Sequence, residues 1–163
     1  MSGYTFFVMT ERSKKRLGEI LIEDGILAKE HLEEALSHQK KEGGLIGQIL
    51  VRLGYISEED LIAAVGKQLK VPYLPLSNYS LNTDIAQQYS QDFCRRNQVI
   101  VFEQNEKYVY LALADPLNDL AIEEIQKKTG LKVQVFISTP TEILSMLDVI
   151  ANVGSSKKEN KKG

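Results

Sequence analysis

The sequence predicts an α+β protein: a helical N-terminal module of two repeated helix pairs, followed by a small α+β module with about three strands. Three observations predict it. Residues 16–39 recur at 45–68 with helical spacing. Beyond residue 71 the pattern changes to apolar or alternating runs, "QVIVFEQ", "KYVYLALA" and "LKVQVFI". Finally, 43% hydrophobic against 26% charged residues in a chain of 163 supports a packed core rather than disorder.

The elements follow in chain order. Residues 1–15 form an N-terminal arm; "YTFFVM" at Tyr4–Met9 is too short for a signal-peptide core and lacks a basic flank before it. The helical module spans 16–70. Sliding the chain by 29 lays Arg16–Gln39 on Leu45–Gln68, with eight of 24 positions identical, where average residue usage gives about one or two. Two copies are too few for a solenoid. Each copy reads as two short helices. The first ends at Gly25 or Gly54 in a left-handed cap, and the pair Ile26-Leu27 or Tyr55-Ile56 packs the connection. In copy two the second helix starts at Ser57, with Asp60 three residues on as a capping box.

The α+β module spans 71–153. "VPYLPL" at Val71–Leu76 carries two prolines and reads as an extended lead-in. A helix is expected over Ile85–Arg96. The runs "QVIVFEQ" and "KYVYLALA", joined at "NE", form a hairpin. Asn118 caps a helix that ends at Gly130. "LKVQVFI" is a third strand, and Thr139-Pro140 with Glu142 opens a last helix. Residues 154–163, "GSSKKENKKG", read as a basic, flexible, solvated tail.

Composition narrows the function. A formal net charge of −2 gives no basic face for DNA or RNA. The single cysteine, Cys94, allows no internal disulfide. The two histidines, His31 and His38, sit on one helix among Glu and Lys and make no zinc set, so no metal site is expected. No apolar run approaches the length of a membrane span, so no direct membrane insertion is expected and the location reads as cytoplasmic. No G-x-x-x-x-G-K is present, "GGLIGQ" at Gly43–Gln48 lacks the Lys-Ser/Thr, and no Ser/His/Asp or paired-carboxylate set stands out. The reading is a non-enzyme without a cofactor.

One irregularity points to a site. The apolar stripe of copy one runs Leu32, Ala35, Leu36, and its next position is Gln39; in copy two Leu61, Ala64, Val65 lead to Gln68. Two copies arranged about a pseudo-two-fold axis would present one surface twice to a ligand of matching symmetry. Gly18 and Gly47, without Cβ, would let phosphate oxygens reach backbone N–H groups near a helix start. Leucines would face planar rings, and the glutamines would serve ring edges or phosphates. That describes a symmetric dinucleotide. Taken singly, the same residues read otherwise: the leucines as core, the glycines as close-packing or turn residues, Asp115-Pro116 as a turn, Arg16 as a surface charge.

The tandem spacing "RLGxxLxxxGxxxxxxLxxxLxxQ", five residues, then "xGxxLxxxGxxxxxxLxxxVxxQ" resembles that of the MshEN domain, the N-terminal domain of type II secretion and type IV pilus assembly ATPases. The likeness runs from Arg16 to Ile150 and includes "LADPLN" at Leu113–Asn118. Many members bind cyclic di-GMP, so the resemblance implies a cyclic di-GMP-binding regulatory domain. It implies ligand contacts at Arg16, Leu17, Gly18, Leu32, Leu36 and Gln39 in the first motif and Gly47, Leu61 and Gln68 in the second. Ile46 and Val65 stand where the family usually has Leu and keep the surface apolar, while Asp115 matches an acidic position that hydrogen-bonds a guanine edge. Implied partners are a secretion or pilus ATPase or an inner-membrane platform component. The alternative reading is a protein-docking adaptor to such a membrane component without nucleotide binding, with the Tyr108/Tyr110 strand as contact face.

Overall fold

The computed structural model describes residues 15–160. They fall into two compact units that part between Val71 and Pro72. The segment read as an N-terminal arm lies, apart from Lys15, outside the described residues.

The first unit holds four helices: α1 (Leu17–Glu23), α2 (Lys29–Glu42), α3 (Ile46–Arg52) and α4 (Glu58–Leu69). Helices of seven residues such as α1 and α3 do not persist in water alone, and tertiary packing must hold them. Both end in the same motif. Gly25 and Gly54 adopt φ of 73° and 78°. Past α1, Ile26 N–H donates to Leu21 O at 3.0 Å and Gly25 N–H to Ile22 O at 3.0 Å; past α3, Tyr55 donates to Leu50 and Gly54 to Val51, both at 3.0 Å. This is the Schellman pattern, which favours a residue without Cβ at the left-handed position. At the start of α4, Ser57 Oγ accepts from Asp60 N–H and Asp60 Oδ2 from Ser57 N–H, each at 3.0 Å, so the capping box is present.

The core of this unit is the repeat made physical. Its buried cluster is Ile20, Leu21, Leu27 and Ala35 with Ile49, Leu50, Ile56 and Ala64, four pairs each 29 residues apart. Of the connecting pairs, Leu27 and Ile56 are buried, Ile26 is exposed and Tyr55 is half-buried. Helix α1 packs on α4 and α2 on α3. Exchanging the two copies turns each of these contacts into the other, so the repeat closes on itself instead of extending.

The second unit begins with the proline-bearing lead-in. Leu74 N–H donates to Ile137 O and Ile137 N–H to Pro72 O, both at 2.9 Å, so this stretch lies parallel along a strand. A 3₁₀ turn (Leu76–Asn78) precedes α5 (Thr83–Ala86) and α6 (Gln91–Asn97). The single helix expected over Ile85–Arg96 is thus two. The chain turns between Ala86 and Ser90, and Ser90 Oγ accepts from Phe93 N–H at 3.4 Å to start the second helix. Strands β1 (Val99–Gln104) and β2 (Tyr108–Leu113) form the antiparallel hairpin, with a bulge between Val101 and Glu103. Helix α7 (Asp119–Thr129) crosses to β3 (Lys132–Ile137), which pairs parallel with β2. Asn118 caps α7 and Gly130 ends it at φ 67°. Helix α8 (Pro140–Asn160) starts as the sequence indicates: Thr139 Oγ1 accepts from Glu142 N–H at 3.0 Å. It continues past Gly154 to Asn160, into the segment read as tail.

Val109, Leu111 and Leu113 lie opposite Val133, Val135 and Ile137, all buried, and α7 and α8 supply Ile122, Ile125, Ile143, Leu147 and Ile150 to the same core. Among the described residues no helix is long and apolar enough to cross a membrane.

Leu21 and Leu50 are equivalent by the repeat and both fully buried. Leu21→Ala and Leu50→Ala should therefore each cost about 2–5 kcal/mol, with similar values for the two. Urea unfolding of the two variants checks this; a large cost at one position only would deny the shared core.

Candidate functional site

The predicted site residues of the helical unit come from equivalent places in the two copies. Leu17 and Ile46 open α1 and α3 and are half-buried, and the next residues, Gly18 and Gly47, are buried. An added Cβ on Gly18 would stand 2.8 and 2.9 Å from the two δ-carbons of Leu32. On Gly47 it would press closer still on Leu61 Cδ1 and stand 3.2 Å from Leu17 Cδ2. Of the two roles offered for these glycines, the geometry displays close packing: each lets a leucine of the second helix lie on the backbone of the first. The same contacts bring Leu17, Gly47 and Leu61 together across the copies.

Leu36 and Val65 leave the core. Leu36 is 40% exposed and Val65 half-buried, although both continue the apolar stripe. Gln39 and Gln68 are half-buried. Gln39 Nε2 donates to the backbone carbonyl of Gly44 at 3.0 Å, and Gln68 Nε2 to that of Lys15 at 3.3 Å. Arg16 is exposed; its backbone N–H donates to Glu19 Oε2 at 3.2 Å.

Asp115 belongs to the second unit and is exposed. Its Oδ1 accepts from Leu117 N–H at 2.9 Å and its carbonyl from Asn118 N–H at 3.1 Å, which is the turn its sequence also indicates.

Some features escaped the sequence. Leu45, 69% exposed, occupies the position of Arg16 in copy two, so the two halves of the face are not chemically alike. Comparing the first residue of each copy side by side would have found it. His31 and Tyr55 stack with ring centroids 4.0 Å apart, and Tyr55 OH donates to Glu34 at 2.5 Å, which together with burial raises the phenol above its usual range. In the second unit an open cleft is lined by Leu74, Tyr79, Phe102, Glu103, Tyr110 and Phe136. Tyr79 and Phe136 meet Phe102 edge-on at 5.1 and 5.5 Å. Burial, then a hydrogen bond to Glu103, raises the Tyr79 phenol. Cys94 is buried, and burial pushes its thiol up to about 11, which leaves it a poor nucleophile. Among the described residues no group of three or more His, Cys, Asp or Glu is placed to hold a metal.

Comparison with known proteins gives the family. The MshEN domain family model matches residues 69–152, so it begins where copy two ends and covers the α+β unit. A solved structure of MshE with cdg is similar over 84% of this chain and 99% of that chain, at 28% identity and a TM-score of 0.71. That share exceeds the α+β unit, so the likeness extends into the repeats. The chain is 26% identical over 133 residues to the type IV pilus assembly ATPase PilB of Myxococcus xanthus, covering 82% of this chain and 24% of the relative. It is 34% identical over 135 residues to the PilB of Thermus thermophilus, covering 82% of this chain and 15% of the relative. The chain thus spans about a quarter or less of the curated relatives it matches.

The glycine contacts yield an unequal pair of expectations. A methyl at position 18 meets only the tips of Leu32, whereas at 47 it meets leucines from two helices. Ala also favours a helix over Gly by about 1 kcal/mol. Gly18→Ala should be near neutral, and Gly47→Ala should destabilise by about 1–3 kcal/mol through overpacking. Equal unfolding midpoints for the two variants would contradict this packing.

Proposed function

From membership of the MshEN domain family, to which this chain belongs, we propose that it is a cyclic di-GMP-binding regulatory domain of, or related to, a type IV pilus or type II secretion assembly ATPase. The observation that carries the reading is the likeness to MshE with cdg, read as cyclic di-GMP, over nearly the whole of that chain. The ATPase activity named for the pilus relatives belongs to those proteins, and the proposed role here is binding without a catalytic step.

The proposed site is the face shared by the two copies: Arg16, Leu17, Gly18, Leu32, Leu36 and Gln39 with Ile46, Gly47, Leu61, Val65 and Gln68. Its apolar part is the margin of the core, against which Leu17, Leu32, Ile46 and Leu61 pack. Leu36 at 40% exposure and the half-buried Leu17, Leu32, Ile46, Leu61 and Val65 supply surface for two flat bases. Arg16 adds a guanidinium that can hydrogen-bond a phosphate or a guanine edge, on one half only, since Leu45 stands in its place on the other. A ligand with two-fold symmetry suits a face whose core pairs recur at a constant register.

A second reading, docking to an inner-membrane platform component, is favoured by one feature: the aromatic side of the sheet, where Tyr108, Tyr110, Phe102 and Phe136 lie ring to ring. On that reading a Tyr108→Ser, Tyr110→Ser double variant loses the platform contact, and the unmodified chain binds no cyclic di-GMP.

Titration calorimetry tests the main reading. Cyclic di-GMP should bind saturably near one per chain, with ATP and linear GMP much weaker. A flat titration at tens of micromolar, roughly −6 to −7 kcal/mol, rejects it. Leu36→Ser should change folding stability by less than about 0.5 kcal/mol, as a surface substitution does, yet weaken cyclic di-GMP binding several-fold. Unchanged affinity would remove Leu36 from the site.

A further inference from the structure

The hydrogen bonds of the two glutamines are related by the repeat. Gln39 and Gln68 are 29 residues apart, and so are their acceptors, the carbonyls of Gly44 and Lys15. Each acceptor lies one residue ahead of the N-cap of a first helix, Leu45 for α3 and Arg16 for α1. The bonds cross: the glutamine of copy one holds the chain leading into copy two, and the glutamine of copy two holds the chain leading into copy one.

Neither Leu45 nor Arg16 has a side-chain oxygen to accept from the first-turn N–H groups, in contrast to Ser57 at the start of α4. The residues that follow directly, Ile46-Gly47 and Leu17-Gly18, belong to the proposed binding face, so whatever fixes the approach of the chain also fixes that pair.

We propose that Gln39 and Gln68 are crossed positioning residues, each setting the first-helix start in the other copy: Gln39 that of Ile46-Gly47, and Gln68 that of Leu17-Gly18. Their role as parts of a ligand site rests on the dinucleotide reading above; the crossed tether itself does not. The two tethers are not equal in weight. In copy one the Glu19 carboxylate also holds the Arg16 N–H, while copy two has Gln48 at that position. Loss of Gln39 is therefore the more damaging.

Residue-resolved amide hydrogen exchange on the ligand-free chain tests this. In Gln39→Leu, exchange of the Ile49 and Leu50 amides in α3 should rise about fivefold, the worth of one net hydrogen bond, while Ile20 and Leu21 in α1 barely move. In Gln68→Leu the pattern should reverse, with a smaller rise. Gln39→Lys keeps an N–H donor of similar reach and should restore protection of α3; Gln39→Glu, which offers the carbonyl no donor, should not. A rise in the glutamine's own copy, an even rise across both copies, or no rise overturns the proposal. A cyclic di-GMP titration of the unmodified chain separates the two ideas. The crossed pattern without binding leaves the tether and removes the dinucleotide; binding without the crossed pattern does the opposite.

Discussion

The helical unit depends on one contact made twice, a leucine of the second helix resting on a glycine of the first. Leu32 lies over Gly18 and Leu61 over Gly47, with their δ-carbons where a Cβ would otherwise stand. A seven-residue helix gains too little from its own hydrogen bonds to persist. It is held because it can lie close enough to its neighbour to bury Ile20 and Leu21, or Ile49 and Leu50. At Gly47, where leucines of two helices converge, that close approach needs the missing side chain; at Gly18 only the flexible tips of Leu32 would have to give way. The eight buried residues that result are four repeat pairs, and the contacts exchange when the copies exchange. Two copies therefore satisfy each other's core contacts.

That closure decides which apolar residues remain at the surface. In the cluster shared by the copies α2 places Ala35 and α4 places Ala64, while Ile62 and Leu69 of α4 are buried outside that cluster. The alanines' neighbours Leu36 and Val65 are displaced outward, beside the glutamines that end each stripe. Small alanines at the helix contact and larger residues just outside it give a tight core with an apolar margin. A folded unit tolerates single exposed leucines without a functional reason. Here Leu36 and Leu45 are exposed and Leu17, Leu32, Ile46, Leu61 and Val65 are half-buried within a unit of this size. The near-symmetry is imperfect where charge is concerned: Arg16 has Leu45 as its counterpart, and Tyr55, stacked on His31, has Ile26. The two halves share shape and differ in polar chemistry.

Much of this was legible because it is local or periodic. The helix stops at Gly25 and Gly54, the box at Ser57 and Asp60, the cap at Asn118 and the start at Thr139 are each fixed by a few adjacent residues. The hairpin and the third strand followed from alternation. What could not be read depends on partners distant in sequence, or on energies too small to leave a pattern. The break between α5 and α6 comes from Ser90 competing as a cap within an otherwise helical run. The helix through Asn160 extends a charged stretch whose composition alone resembles a tail. The glycines taken singly read as close-packing or turn residues, and the position of Leu32 and Leu61 displays the packing. For the glutamines, the sequence showed that an amide interrupts an apolar stripe twice; it could not show that each amide reaches a carbonyl ahead of the other copy.

The family match and the proposed ligand face occupy different parts of the chain, and this bears on how binding would be felt. The family model covers the α+β unit, whereas the leucines, glycines and glutamines lie before it. Binding at the face changes the behaviour of the rest only if the ligand favours one arrangement of the protein over another. A face whose halves are already tied by crossed hydrogen bonds is suited to such selectivity. A two-fold ligand that touches both first-helix starts acts on two tethers at once, so a small shift at either start is opposed by the bond from the other copy. Occupancy would then be reported as the stiffness or register of the whole four-helix unit rather than as the movement of one loop. The short α1 and α3 start on N-cap residues without a side-chain oxygen, so their first turns rest on packing and on the bonds that reach the chain just ahead of them.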